Sequence, residues 1–473
     1  MNEYIDEIIQ NATMAAAEYS QFTQEQTDKI VKSVFEAAFN NRVMLAKMAQ
    51  QETNIGIWEH KVLKNVVASQ LVYEDIKNLK TVGIINEDED SGIVEIAQPM
   101  GPILAIIPVT NPTSTVIFKI LISLKSRNPI IICPSKKAIK CCTEAARICY
   151  EAAMKAGAPE GCIQWLKSVT RDQTQQLMAH KSLSLILATG GSGLVKSAYS
   201  SGTPTIGVGA GNVPVFIEKS ADIPFAVEQI FLSKTFDNGT ICASEQAIVV
   251  EKEIAEKVIE EFKKRKAYFC NNEEIISLNK LAVDETFHIM NPEIVGRPAY
   301  EIAQKAGIKA PEDVTILMAP IQAVGKEYPL SSEVLAPILA FYVVDNFEKA
   351  INMCINLNYH GGIGHSASIF SNDDEKIKYF AIHMNAGRIC VNTPSSQGAV
   401  GGMFNKLSPS LTLGCGTGGK NITTDNVSAK HLINIQRISR RRPNERFIRF
   451  DATIYLDENK KSDEINELYN RNF

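Results

Sequence analysis

No apolar run in the 473 residues is long enough to span a bilayer. The start, Met1-Asn2-Glu3-Tyr4-Ile5-Asp6-Glu7, lacks the basic flank of a signal peptide. Neither membrane insertion nor secretion is expected. Charge of one sign is also missing: the formal net charge is -4, which gives no reason to expect nucleic acid or a membrane surface as partner. No cysteine pairs with a histidine at a metal-ligand spacing, so no zinc or other metal is expected. The ten cysteines form no secreted disulfide framework; Cys141 and Cys142 are adjacent, and Cys133, Cys149 and Cys162 lie within apolar segments. Scattered reduced thiols in a cytoplasmic protein are the simpler reading. Internal repeats and low-complexity tracts are absent too.

What is present is an ordinary globular composition, 45% hydrophobic and 22% charged, in a chain too long for one simple core and suited to two or three lobes. Residues 3–20 and roughly 24–50 carry apolar residues at helical spacing, with Thr23 and Gln26 placed as a capping box. Residues 81–97 read as two strands around an acidic turn. From Gly101 short apolar strands alternate with helices: Ile103–Ile107, a helix from Ser114 to Ser126, Ile130–Cys133, a helix from Ala138 to Ala156, then Ser184–Ala188. Such alternation predicts an α/β fold with a parallel sheet, whose strand carboxyl ends form a ligand crevice.

Two glycine-rich segments follow. Thr189-Gly190-Gly191-Ser192-Gly193 opens a helix that runs through Tyr199. It fits either a phosphate-approaching turn or a tight structural one. Gly207-Val208-Gly209-Ala210-Gly211-Asn212 precedes a strand, Val215–Ile217, and suits close packing of backbone against a flat ligand. Then comes Phe236-Asp237-Asn238-Gly239-Thr240-Ile241-Cys242-Ala243-Ser244-Glu245-Gln246, a small polar turn running into the apolar strand Gln246–Val250. Cys242 sits on a short loop at a sheet edge, either as a buried apolar residue or as a nucleophile.

Taken in order, these motifs resemble the aldehyde dehydrogenase superfamily: Pro108-Val109-Thr110-Asn111-Pro112, Ala188 to Gly193, Gly207 to Asn212, and Asp237 to Gln246. Later segments agree: Ser332-Glu333-Val334-Leu335-Ala336-Pro337, Tyr359 to His365, Val391 to Gly398, and Thr412 to Gly416. The likeness spans nearly the whole chain and is strongest to the coenzyme A-acylating branch, including the aldehyde-oxidising half of bifunctional aldehyde–alcohol dehydrogenases and the acylating semialdehyde and sulfoacetaldehyde dehydrogenases.

The resemblance implies two Rossmann-like α/β lobes plus a small β oligomerisation element. Residues 1–80 and 101–220 would form the dinucleotide-binding domain and 221–425 the catalytic domain. Residues 81–100 and 426–450 would be oligomerisation elements, and 451–473 a tail. It further implies a reversible reaction of a short aldehyde with coenzyme A and NAD or NADP. Cys242 would carry a thiohemiacetal and then a thioester, with the Asn111 amide and the Cys242 N–H as oxyanion donors. His365 fits a base for the incoming thiol or a structural histidine. Glu333 would orient the nicotinamide ribose, unless it is merely a surface acid ahead of a strand. Thr110, Thr189, Gly190, Gly191, Gly193 and Gly209 would line the coenzyme.

Hydrolytic relatives place a glutamate where this chain has Val208. Without that base, water attack should be slow and a thiol must take the acyl group. Cys133-Pro134-Ser135-Lys136-Lys137 lacks the acid that disfavours a 2′-phosphate, so Ser135, Lys136 and Lys137 are expected to accept NADP. Gly402 replaces an acidic residue, and Lys406 and Lys420 add positive charge, which suits an aldehyde with an anionic tail; acetaldehyde is the default. The alternatives are a hydrolytic dehydrogenase, an acyl-phosphate reductase, or a non-catalytic scaffold or shell-associated protein. No iron-dependent alcohol dehydrogenase domain follows, so one redox step is expected. A homodimer or tetramer is expected, and Ile465, Leu468, Tyr469 and Phe473 suit a docking helix for packaging into a bacterial microcompartment.

Overall fold

Two parallel sheets and a small antiparallel one organise the chain. The computed structural model describes residues 3–471 apart from residue 169 and residues 285–288. The first sheet runs, in spatial order, Ile163–Trp165, Ile130–Cys133, Ile103–Ile106, Leu185–Thr189 and Thr205–Val208, all parallel. Its inner strands are unbroken apolar runs buried on both faces, as a sheet sandwiched between helices requires. Alternate residues serve opposite cores. Ile103 and Ala105 join the helices Gln24–Asn40, Pro112–Lys125 and Ile139–Lys155, while Leu104 and Ile106 join Glu3–Tyr19 and Arg171–Met178. The strand order reverses between Ile103–Ile106 and Leu185–Thr189, which places a crevice at their carboxyl ends.

The second sheet has seven parallel strands: Ala267–Phe269, Ile316–Pro320, Ile338–Val344, Glu245–Glu251, Val213–Ile217, Gly364–Phe370 and Ala386–Val391. Val213–Ile217 pairs with Glu245–Glu251 and Gly364–Phe370, so the crossover between sheets falls just before residue 213. An apolar run does not specify its partners; long-range pairing does. The expected helix over 24–50 is two, Gln24–Asn40 and Arg42–Thr53, broken at Asn41, whose amide donates back to the Ala37 carbonyl. The capping box at Thr23 and Gln26 is present.

The third sheet joins Gly83–Asp88 and Ile93–Pro99 to the edge strand Ile433–Ser439, on which Ile435 and Ile438 are exposed. In the tail, Ser462–Asn470 is helical, but Ile465, Leu468 and Tyr469 are half-buried and Tyr469 packs edge-on against Phe450. Phe473 lies outside the described residues. Among the described residues no helix is long and apolar enough to cross a membrane.

Candidate active site

After the helix Ile223–Thr235 the chain turns tightly through Phe236–Gly239, with Asp237 and Asn238 both left-handed (φ 50° and 53°). This turn delivers Cys242 ahead of the strand Glu245–Glu251. All ten cysteines are free; nine are buried and Cys242 alone is half-buried. Its sulfur lies 3.3 Å from His365 Nε2, while His365 Nδ1 lies 3.1 Å from Ser366 Oγ. Arg388, buried and bonded to Asn426 Oδ1 at 3.1 Å and to the Gly414 carbonyl, reaches the same hydroxyl at 3.5 Å.

Two glycines make this contact possible. A Cβ on Gly211 would stand 2.3 Å from the Cys242 carbonyl oxygen and 3.1 Å from the His365 ring. One on Gly364 (φ +79°) would stand 1.7 Å from the Cys415 carbonyl oxygen. Thiol and imidazole rest neutral. Burial, then Glu333 and Cys415, push the Cys242 thiol up to about 12 against the opposing pull of Arg388. Burial, then Arg388, push His365 down to about 3.

Asn111 stands at the amino end of the helix Pro112–Lys125, following the first sheet's central strand. Its Nδ2 donates to Thr110 Oγ1 at 3.2 Å, and its Oδ1 accepts from Lys64 Nζ at 2.5 Å. Lys64 belongs to the helix Trp58–Val66 and is buried with Lys61. Both lysines reach Asp237 Oδ2, Lys61 at 3.0 Å, and Lys64 also donates to Thr240 Oγ1 at 2.9 Å. Asp237 Oδ1 accepts from the Ile57 N–H at 2.7 Å, and the Asp237 N–H donates to His60 Nδ1 at 2.8 Å. Burial alone would raise Asp237; Lys64 and Lys61 outweigh it and hold the carboxylate below its ordinary range. Burial lowers Lys64 to about 8, against the opposing field of Asp237.

Thr189 ends the strand Leu185–Thr189, and its buried Oγ1 has no hydrogen-bond partner. Gly191 caps the helix Ser192–Tyr199, and a Cβ at Gly191, Gly193 or Gly209 would meet nothing within 4 Å; at Gly190 it would meet only the Leu194 side chain at 3.3 Å. Open glycines and a spare buried hydroxyl at the carboxyl end of a Rossmann-like sheet fit a dinucleotide. Lys136 and Lys137 form an exposed turn after Ile130–Cys133, with Ser135 half-buried just ahead of them, and Lys137 lines a cavity of about 330 Å³ with Arg297 and Lys305. Glu333 Oε1 accepts from the Gly211 N–H at 2.8 Å; burial raises its carboxyl to about 7 against the pull of that N–H and of Lys234.

The structure thus gathers Cys242, His365 and Glu333 about Gly211, and ties Asn111 and Thr110 to the turn carrying Cys242. Sequence reasoning missed Lys61, Lys64, Ser366 and Arg388. The spacing of Lys61 and Lys64, three apart on one helix face, was the available signal, but lysines there ordinarily mean solvent. Val208, in the glutamate's place, is buried, and its carbonyl accepts from the Gly190 N–H at 3.5 Å. Lys406 and Lys420 are both exposed, so neither supplies the desolvated cation that a preference for anionic tails needs.

The chain matches the aldehyde dehydrogenase family over residues 1–271 and 323–405, and it belongs to that family. It is 44% identical over 466 residues to aldehyde-alcohol dehydrogenase 2 of Entamoeba histolytica, covering 97% of this chain and 54% of that protein. The chain therefore spans about half the length of this and other curated aldehyde-alcohol dehydrogenases that it matches. An acetylating aldehyde dehydrogenase from Geobacillus thermoglucosidasius superposes with a TM-score of 0.90 at 48% identity, covering 93% of this chain and 98% of that one. A Rhodopseudomonas palustris propionaldehyde dehydrogenase solved with bound propionyl-CoA has a TM-score of 0.81 at 26% identity, covering 92% and 94%.

Proposed function

We propose that the chain oxidises a short aldehyde to its coenzyme A thioester, with NAD or NADP as hydride acceptor. The observation that carries this is the Cys242 sulfur 3.3 Å from a neutral, buried His365, with a valine where hydrolytic relatives hold their base. Cys242 gives its proton to His365 Nε2, which releases it to solvent, as its sulfur adds to the aldehyde carbon, and the carbonyl oxygen becomes the thiohemiacetal oxyanion. The Asn111 Nδ2 and the Cys242 N–H stabilise that charge. Thr189, the open glycines and Glu333 hold the dinucleotide, which when bound accepts the hydride. The thioester left on Cys242 is then attacked by the coenzyme A thiol, whose proton His365 takes. Acyl-CoA departs and the cysteine thiol is restored; the sum is aldehyde, CoA and NAD(P)⁺ to acyl-CoA, NAD(P)H and a proton.

With Lys406 and Lys420 both exposed, no desolvated cation from either selects an anionic tail, and a short uncharged aldehyde is the favoured substrate. The exposed turn at Lys136 and Lys137 supports acceptance of NADP. The outer strand Ile433–Ser439, with its exposed isoleucines, supports a homodimer or tetramer. Packaging into a microcompartment through the tail has less support, because Tyr469 is already packed on Phe450.

The test is NAD(P)H formation from acetaldehyde or propanal with and without coenzyme A. Dependence on coenzyme A, with acyl-CoA as product, is the expected result. Equal rates without it would make the enzyme hydrolytic and end this reading.

A further inference from the structure

Lys64 is not part of the thiol–imidazole pair, yet it is spent in an informative way. An ammonium has three N–H bonds and no lone pair, so every atom it touches must accept. Those of Lys64 go to Asn111 Oδ1, Asp237 Oδ2 and Thr240 Oγ1. The Thr240 hydroxyl then passes its own hydrogen to Asp237 Oδ2 at 2.8 Å, so the triangle is closed with donors and acceptors matched.

An asparagine amide can otherwise sit in either of two flips, only one of which presents hydrogens to a substrate oxygen. Facing an ammonium, the carbonyl oxygen is held on the lysine side. The NH₂ is then forced to the other, where one hydrogen meets Thr110 Oγ1 and the second has no acceptor among the described residues. Both proposed oxyanion donors are referenced to the same nitrogen, because Thr240 and Asp237 lie in the turn that ends two residues later at Cys242. We infer that Lys64 is the positioning residue of the oxyanion site: it fixes the flip of the Asn111 amide and locks it to the Cys242 turn through Asp237 and Thr240.

The inference rests on the proposed role of Asn111, and the experiment separates the two. Steady-state kinetics of CoA-dependent acetaldehyde oxidation would be measured for wild type, Asn111→Ala, Lys64→Met and the double variant. Asn111→Ala is expected to lower kcat about 10²-fold or more, the usual cost of one oxyanion donor. Wild-type kcat in that variant would end the Asn111 reading itself. Lys64→Met leaves Asp237 with Lys61, a balanced pair, so the fold should survive. Its kcat should fall at least about tenfold with the KM for coenzyme within about twofold, because the lost interaction is made in the transition state. In the double variant kcat should lie within about threefold of Asn111→Ala alone, since a residue acting through Asn111 has nothing left to position. A larger further loss, or wild-type kcat in Lys64→Met, overturns the inference. Should Lys64→Met not fold, Lys64→Gln, which still donates to Asp237 but no longer dictates the amide's flip, is put through the same cycle under the same criteria.

Discussion

The two halves of the site use glycine for opposite purposes. Beside the first sheet Gly191, Gly193 and Gly209 face open space, and the nearby Thr189 hydroxyl is left without a partner. On the thiol side Gly211 and Gly364 are packed so closely that a methyl group would overlap the Cys242 and Cys415 carbonyls. The halves also come from opposite strand ends. Thr189 and Asn111 follow the carboxyl ends of the first sheet, whereas Gly211, Cys242 and His365 stand at or just before the amino ends of second-sheet strands. On the proposed reading, room is kept where the coenzyme enters, and contact is kept where the reacting sulfur is held.

The harshest test removes the atom that the tight half exists to place. Cys242→Ala should cut acyl transfer by about 10⁴-fold or more while coenzyme binding, read by fluorescence titration, stays near wild type, because the open half is untouched. Turnover above a few per cent in that variant would sink the mechanism.

Next, the two kinds of glycine can be set against each other. Gly211→Ala should cost about 1–3 kcal/mol of stability through overpacking and lose most activity as the Cys242 loop is displaced. Gly193→Ala should leave the melting temperature unchanged or slightly higher, since alanine favours a helix, while raising the KM for coenzyme. Calorimetry and kinetics on the pair decide it, and equal melting shifts would erase the distinction.

A milder probe is proton concentration. With the Cys242 thiol raised to about 12, the reactive thiolate is a small fraction that grows as pH rises. Alkylation of Cys242 in the coenzyme-free protein should therefore speed up about tenfold per pH unit from pH 6 to 9. A plateau near neutral pH would mean that His365 already holds an ion pair.

The smallest expected effect concerns the outer rim. Replacing Lys136 and Lys137 together by alanine should raise the KM for NADP roughly threefold to tenfold and leave that for NAD within about twofold, as exposed cations contribute under about 1 kcal/mol each. Unchanged NADP kinetics would remove these lysines from the coenzyme site.

Much of this was legible beforehand. Strict strand–helix alternation disclosed the first sheet, and the local patterns around Cys242, Asn111, His365 and the glycine segments pointed to the residues now proposed for the site. The rest depended on distance in sequence. Val213–Ile217 reads the same whichever sheet takes it, and only its pairing with Gly364–Phe370 assigns it. The short strand Ile163–Trp165 has too few residues to show a period. Lys61 and Lys64 look like a solvated face until Asp237, more than 170 residues away, is brought beside them. Lys406 and Lys420 mislead in the reverse sense: near the site in motif order, they point to water.

The tie between Lys64 and Asp237 has a consequence for how the protein can be cut and recombined. Drawn by sheets, the chain divides near residue 212, and the later part contains Cys242, His365 and a complete sheet. Yet that part alone would carry a buried aspartate stripped of both its cations and a cysteine turn without its anchor. In modular terms the helix Trp58–Val66 travels with the half that carries Cys242 although it is encoded far upstream. A chimaera that keeps Cys242 from one parent and the first eighty residues from another should work only where the lysine and aspartate positions match.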